Sequence, residues 1–272
     1  MKKCLRITLL VLLLAVFAYS TSRLVKQFSD NSGGSNSYAG ALAIASGSAE
    51  KPVTEETLPT ETGQPLWVPA PVEDDPHMEE LAQIDLAALR EINPDVLGWI
   101  RIPDSRIDYP LMAGTDNDFY LNHTWDKQEN SVGSIFLEHQ NSPDLTDYNT
   151  ILYGHNMNDG SMFAGLRKYT GQYYWNNHPY VYIVTDSGVL RYEIFSGYIA
   201  QVDSVTYGLS FRQEKTRANF LIHALEKSNI QTEIVPEKED RILTLSTCSG
   251  AGYSTRWVVH ARLKMIQTSE TA

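Results

Sequence analysis

Apolar and polar positions divide the chain into unlike stretches. Residues 7–19 form an almost unbroken apolar run preceded by Lys2, Lys3 and Arg6. From 29 to 76 Ser, Gly, Pro, Glu and Thr dominate, Gly33-Gly34 among them, and no apolar period is sustained. Met78, Leu81, Ile84, Leu86, Ala87 and Leu89 then recur at helical spacing, which predicts an amphipathic helix from 77 that ends before Asn93-Pro94. Beyond Gly98 the pattern changes to short β-branched and aromatic runs at 99–102, 107–111, 134–137, 150–153, 180–184, 190–199, 242–247 and 256–266. Two helical insertions interrupt them: 161–169, and 211–227, where Phe220, Leu221, Ala224 and Leu225 mark a face that would cover the strands. About eight strands in one domain of this size predict a mostly β fold with helical additions, either a closed barrel or a sandwich.

The stretches imply three parts: residues 1–28 as an N-terminal membrane anchor or signal, 29–76 as a flexible extracytoplasmic linker, and 77–268 as the folded domain. The apolar run is shorter than the roughly 20 residues of a standard span. An uncleaved anchor is favoured over a signal peptide, because no small-x-small site comes after the run and apolar residues resume at Leu24. Positive charge ahead of the run predicts a cytoplasmic N-terminus and a single pass, with the rest outside.

Charge and cysteine content narrow the chemistry. A net charge of −11 and the lack of any Lys/Arg cluster argue against nucleic acid as a partner. The two cysteines, Cys4 and Cys248, permit no disulfide framework. No metal or cofactor is expected: His123, His139, His178, His223 and His260 share no ligand spacing, and Glu138, Asp144, Asp147, Asp203 and Glu214 form no calcium-binding ladder.

Cys248 ends the strand-like run Thr244-Leu245-Ser246-Thr247-Cys248, where a thiol suits a nucleophile if a base or cation stands near. His155, in Tyr153-Gly154-His155-Asn156, comes just after an apolar strand, and Arg256 opens the strand after the cysteine. A hairpin through the turn-rich 249–255 would bring Arg256 back beside Cys248. Singly, each residue has an ordinary structural reading; together they supply a nucleophile, an acid/base and an oxyanion stabiliser.

These three motifs resemble those of the sortases, cysteine transpeptidases that anchor proteins to the Gram-positive cell wall. Gly98-Trp99-Ile100-Arg101-Ile102-Pro103, Ile107-Asp108-Tyr109-Pro110-Leu111 and Asp116-Asn117-Asp118-Phe119-Tyr120-Leu121 are similar to the class B branch, and the likeness runs over residues 79–268. The resemblance implies an eight-stranded sortase-type β-barrel with an N-terminal helix and a long helix between strands six and seven. It implies cleavage of an NPxT-type or LPxTG-like C-terminal sorting signal after Thr, through a thioester, in sorting-signal-bearing surface or pilin proteins. The acceptor would be an amine of lipid II or another cell-wall precursor, or a pilin lysine. Carried over by position, Asn117, Leu121, Ser246 and Thr247 are substrate-binding candidates. Two other readings are a membrane-tethered cysteine peptidase that only hydrolyses and a non-catalytic surface or pilus module. A papain-like peptidase is disfavoured because it places its cysteine before its histidine and on a helix.

Overall fold

Strands form where the β-branched and aromatic runs lie, and they close on themselves. The computed structural model describes residues 2–47, 75–248 and 254–267, with backbone alone for 2–10 and Cys248. The strands are β1 (Val96–Arg101), β2 (Asp108–Met112), β3 (Ile135–Leu137), β4 (Asn149–Tyr153), β5 (Tyr180–Thr185), β6 (Gly188–Gln201), β7 (Ile242–Cys248) and β8 (Thr255–Gln267). They make a closed barrel in the order β1-β2-β3-β4-β7-β8-β6-β5. Closure removes every free sheet edge, so the barrel rather than the sandwich is adopted. The β2–β3 and β4–β7 contacts are parallel and the others antiparallel.

Alternation along β7 shows how both faces of the wall are buried. Leu243 and Leu245 join the main core with Val259 and Ala261 of β8. Ile242 faces the other way into a second cluster with Phe195, Tyr198, Phe211 and Val258, roofed by Phe220, Leu221 and Ala224 of α5 (Glu214–Lys227). Leu225, expected on that buried face, lies at its margin, 36% exposed.

The expected single helix from 77 is two short ones, α2 (Pro76–Leu81) and α3 (Leu86–Ile92). Each has its own aspartate cap: Asp75 accepts from His77 N at 3.1 Å and Asp85 from Ala88 N at 2.9 Å. Asp75 also takes Arg191 Nη1 at 3.1 Å, binding α2 to the barrel. The insertion after His155 is a 3-10 helix, Phe163–Thr170, leading into α4 (Gln172–Asn177).

The N-terminal stretch departs furthest from its composition. Lys2–Ala45 form one helix, α1, so residues 29–45 are not the flexible linker that Ser and Gly content implies. Tyr38, Ala41, Leu42 and Ala45 recur at helical spacing and pack on the core. The linker positions 48–74 lie outside the described residues. Among the described residues no helix is long and apolar enough to cross a membrane.

Beneath α5 lies a buried polar chain. Thr244 Oγ1 donates to Asn149 Oδ1 at 2.6 Å and sits 2.9 Å from His260 Nδ1, while His260 Nε2 lies 3.0 Å from Tyr198 Oη. Burial, with a smaller contribution from nearby His223, pushes the His260 imidazole from its ordinary 6.5 down to about 3. The unfolded chain therefore binds a proton at His260 that the fold refuses. Stability from this group is intact above pH 6.5 and is lost as pH falls toward about 3. The slope is up to about 1.4 kcal/mol per pH unit. In His260→Gln the unfolding free energy should fall less steeply between pH 6.5 and 4.5 than in wild type, as read by guanidinium titrations; equal slopes would refute the assignment.

Candidate active site

Two strands distant in sequence end side by side. In the parallel β4–β7 pair Tyr153 stands opposite Ser246, and Gly154 N donates to Ser246 O at 3.2 Å, extending the ladder past the strand end. His155 and Cys248 each lie two residues beyond that matched pair, so both backbones reach the same rim of the barrel. The antiparallel β7–β8 pair sets Cys248 opposite Arg256. Three neighbouring strands, spaced about 4.8 Å apart, thus bring the candidate nucleophile, acid and cation to one edge.

His155 is half-buried, and its Nε2 lies 2.7 Å from Leu121 O. That carbonyl can only accept, so Nε2 carries the hydrogen in this contact. Gly133, at φ +61°, lies against the ring: a Cβ there would stand 2.9 Å from His155 Cδ2 and 2.7 Å from both Leu121 O and Tyr120 O. Only glycine combines this backbone with so close an approach. Leu121 ends the 3-10 turn Phe119–Leu121, and its side chain packs on the core. The contact it makes with His155 is through its backbone.

Arg256 is half-buried, and its Nη1 donates to Thr255 O at 2.9 Å. Its charge is felt at Tyr153: burial raises the Tyr153 hydroxyl's pKa and the Glu138 carboxylate raises it further, while Arg256 pulls it down.

Glu138 organises the next layer. Its carboxylate, buried beside β4, accepts from Asn117 Nδ2 at 2.7 Å and Tyr153 Oη at 3.0 Å through Oε2. Through Oε1 it meets His139 Nδ1 at 2.9 Å and Gln140 N at 3.2 Å. Asn117 Oδ1 accepts from His139 N at 3.0 Å, so both ends of its amide are oriented. Asn117 precedes the 3-10 turn, which begins after Asp116 accepts from the Asp118 and Phe119 amides.

Ser246 and Thr247 are both buried on β7. Ser246 Oγ lies 2.8 Å from Tyr207 Oη, and Thr247 Oγ1 has no hydrogen-bond partner among the described residues. Glu138 and Tyr207 are not among the site residues that sequence reasoning names. An acidic residue closing an otherwise apolar strand was the one signal for Glu138; Tyr207 carries none. Among the described residues no three His, Cys, Asp or Glu side chains gather as a metal-ligand set.

The family model of the Sortase domain matches residues 100–264. Sortase B of Listeria monocytogenes is 38% identical over 167 residues, spanning 60% of this chain and 67% of the relative. The crystal structure of Staphylococcus aureus Sortase B superposes with a TM-score of 0.63 at 30% identity, covering 66% of this chain and 87% of that one. For the X-ray structure of Clostridium perfringens Sortase B the TM-score is 0.62 at 32% identity, with 66% and 100% covered.

Glu138→Ala removes the buried acceptor shared by the donors of Asn117, Tyr153 and Gln140, which are half-buried or exposed. A destabilisation of about 1–3 kcal/mol is expected, read as a lower denaturant midpoint with unchanged m-value. An unchanged midpoint would mean that Glu138 bears no structural load.

Proposed function

We propose, from the premise that this chain belongs to the sortase family and to its class B branch, that Cys248 is the nucleophile, His155 the general acid and base, and Arg256 the oxyanion or substrate stabiliser. Class B sortases are cysteine transpeptidases of the cell surface that anchor sorting-signal proteins to cell-wall amines. The observation that carries the residue assignment is the register: Tyr153 opposite Ser246 and Cys248 opposite Arg256.

The steps are those of acyl-transfer chemistry. The Cys248 thiolate attacks the carbonyl carbon of a threonine in the sorting signal, and the carbonyl oxygen becomes an oxyanion. Arg256 donates charge-assisted hydrogen bonds to that oxygen or to the adjoining substrate backbone. Collapse expels the C-terminal fragment as an amine, which takes the proton of the His155 imidazolium, and leaves a thioester. An acceptor amine then attacks the thioester carbonyl and gives its proton to His155. The new amide leaves and the thiolate is restored.

The signal is read as NPxT-type or LPxTG-like, and the acceptor as an amine of lipid II or a pilin lysine. Asn117, Leu121, Ser246 and Thr247 are assigned to the substrate groove. Support for Asn117 is its preset amide, which keeps one N–H for a ligand after Glu138 takes the other. The exposed apolar residues Val11–Phe17 of α1 fit a membrane anchor with the N-terminus inside, since Lys2, Lys3 and Arg6 precede them. From Phe17 to Asp30 the helix rises about 20 Å, holding the barrel clear of the bilayer.

The test incubates the chain in detergent with NPQTN-type and LPxTG-type peptides plus a glycine-based amine, with products monitored by mass spectrometry. Wild type should yield a threonine–glycine adduct and Cys248→Ala none. Arg256→Ala should lose about 100-fold or more in turnover, and Arg256→Lys should not restore it fully, because a point charge does not replace the planar fork. Turnover persisting in Cys248→Ala would overturn the nucleophile assignment, and water-only products with the amine present would overturn the acceptor assignment.

A further inference from the structure

The second half of α1 packs against α3, β2 and the segment 122–134, the last through polar contacts spread from Asp30 to Tyr38. Asn130 Nδ2 donates to Asp30 O at 2.9 Å, and Ser131 Oγ to Asp30 Oδ2 at 2.8 Å. Trp125 Nε1 donates to Ser37 O at 3.0 Å, and Ser37 Oγ to Asp126 Oδ1 at 3.1 Å. Tyr38, buried and edge-on to Tyr109 at 5.2 Å, donates its hydroxyl to Gly133 O and lies 3.0 Å from Ser134 Oγ. Gly34 permits the close approach: a Cβ there would stand 2.9 Å from Val132 Cγ2. Gly40, on the same helix, has nothing within 4 Å of its Cβ position.

That segment and the turn before it hold His155. Leu121 O meets the imidazole Nε2 at 2.7 Å, Gly133 walls the ring at Cδ2, and Ser134 N donates to Tyr120 O at 2.8 Å, tying the two together. The path from α1 to the imidazole is therefore short: the Tyr38 hydroxyl, the Gly133 peptide, the ring. No part of it involves the nucleophile strand.

We infer that the second half of α1, through Tyr38 and Gly34, is a positioning element for the transfer reaction, holding the Leu121–Gly133 cradle that orients His155. This rests on the reading of His155 as the acid. Gly33-Gly34, placed by composition in a flexible linker, serves here as the helix face that lets α1 seat. α1 thereby joins the exposed apolar stretch directly to the histidine's support, with unbroken helix between residues 17 and 38.

The experiment uses the full chain in detergent with Tyr38→Phe, Gly34→Ala and Gly40→Ala, isotope-labelled at histidine. Tyr38→Phe and Gly34→Ala should lower kcat about 3- to 10-fold with KM within twofold, and should shift the His155 ring resonances. Gly40→Ala, which gains helix propensity without a clash, should leave kcat and those resonances unchanged and raise Tm slightly. If the first two variants keep wild-type kcat and ring resonances, even with a lower Tm, the helix only braces the fold and the inference is wrong. His155→Ala separates the two readings: activity surviving there refutes His155 as the acid, while the ring shifts in Tyr38→Phe still report whether α1 positions it.

Discussion

The parallel pairing of β4 with β7 is the constraint on which the rest of the site depends. Because the two strands run the same way in register, the residues just past Tyr153 and the end of β7 emerge at one rim. An antiparallel pair would send the two ends to opposite mouths of the barrel. Parallel strands need a long connection, and the chain between them supplies β5, β6 and α5 in that interval. The crossover that makes the pairing possible therefore also builds part of the wall.

Pairing of its buried hydroxyls explains how β7 carries polar residues between two apolar layers. Leu243 and Leu245 fill the barrel, while Thr244 and Ser246 point to the layer under α5, where Asn149, His260 and Tyr207 meet them. Buried hydroxyls are acceptable where they are paired. The strand bearing the candidate nucleophile is thus fixed by side-chain hydrogen bonds as well as by its ladder, which suits a site that must hold its geometry during acyl transfer.

Support for the histidine comes from elsewhere: a carbonyl from the Phe119–Leu121 turn, a glycine at positive φ, and a helix that composition assigns to a linker. The Cys248 side of the rim is built by the barrel wall. The His155 side is built by loops braced from outside the barrel by α1. A substitution in either scaffold therefore acts on a different one of the two residues.

The sequence alone determined the eight strands and the helix before Cys248's strand, because these are written in local period, and its short motifs named Cys248, His155 and Arg256 as candidates. The family likeness turned barrel-or-sandwich into barrel, and chain closure in the structure agrees. Hidden from the sequence were the partners that lie far apart along it: Glu138 under Asn117 and Tyr153, Tyr207 on Ser246, and Tyr38 behind Gly133. Composition also misled at 29–45, where Ser and Gly outweigh the stripe of Tyr38, Ala41, Leu42 and Ala45, whose partner surface only exists once the barrel forms. Local spacing records how a segment coils. Which distant carboxylate, hydroxyl or carbonyl it will meet is decided by strand order and packing, and those are settled by tertiary structure.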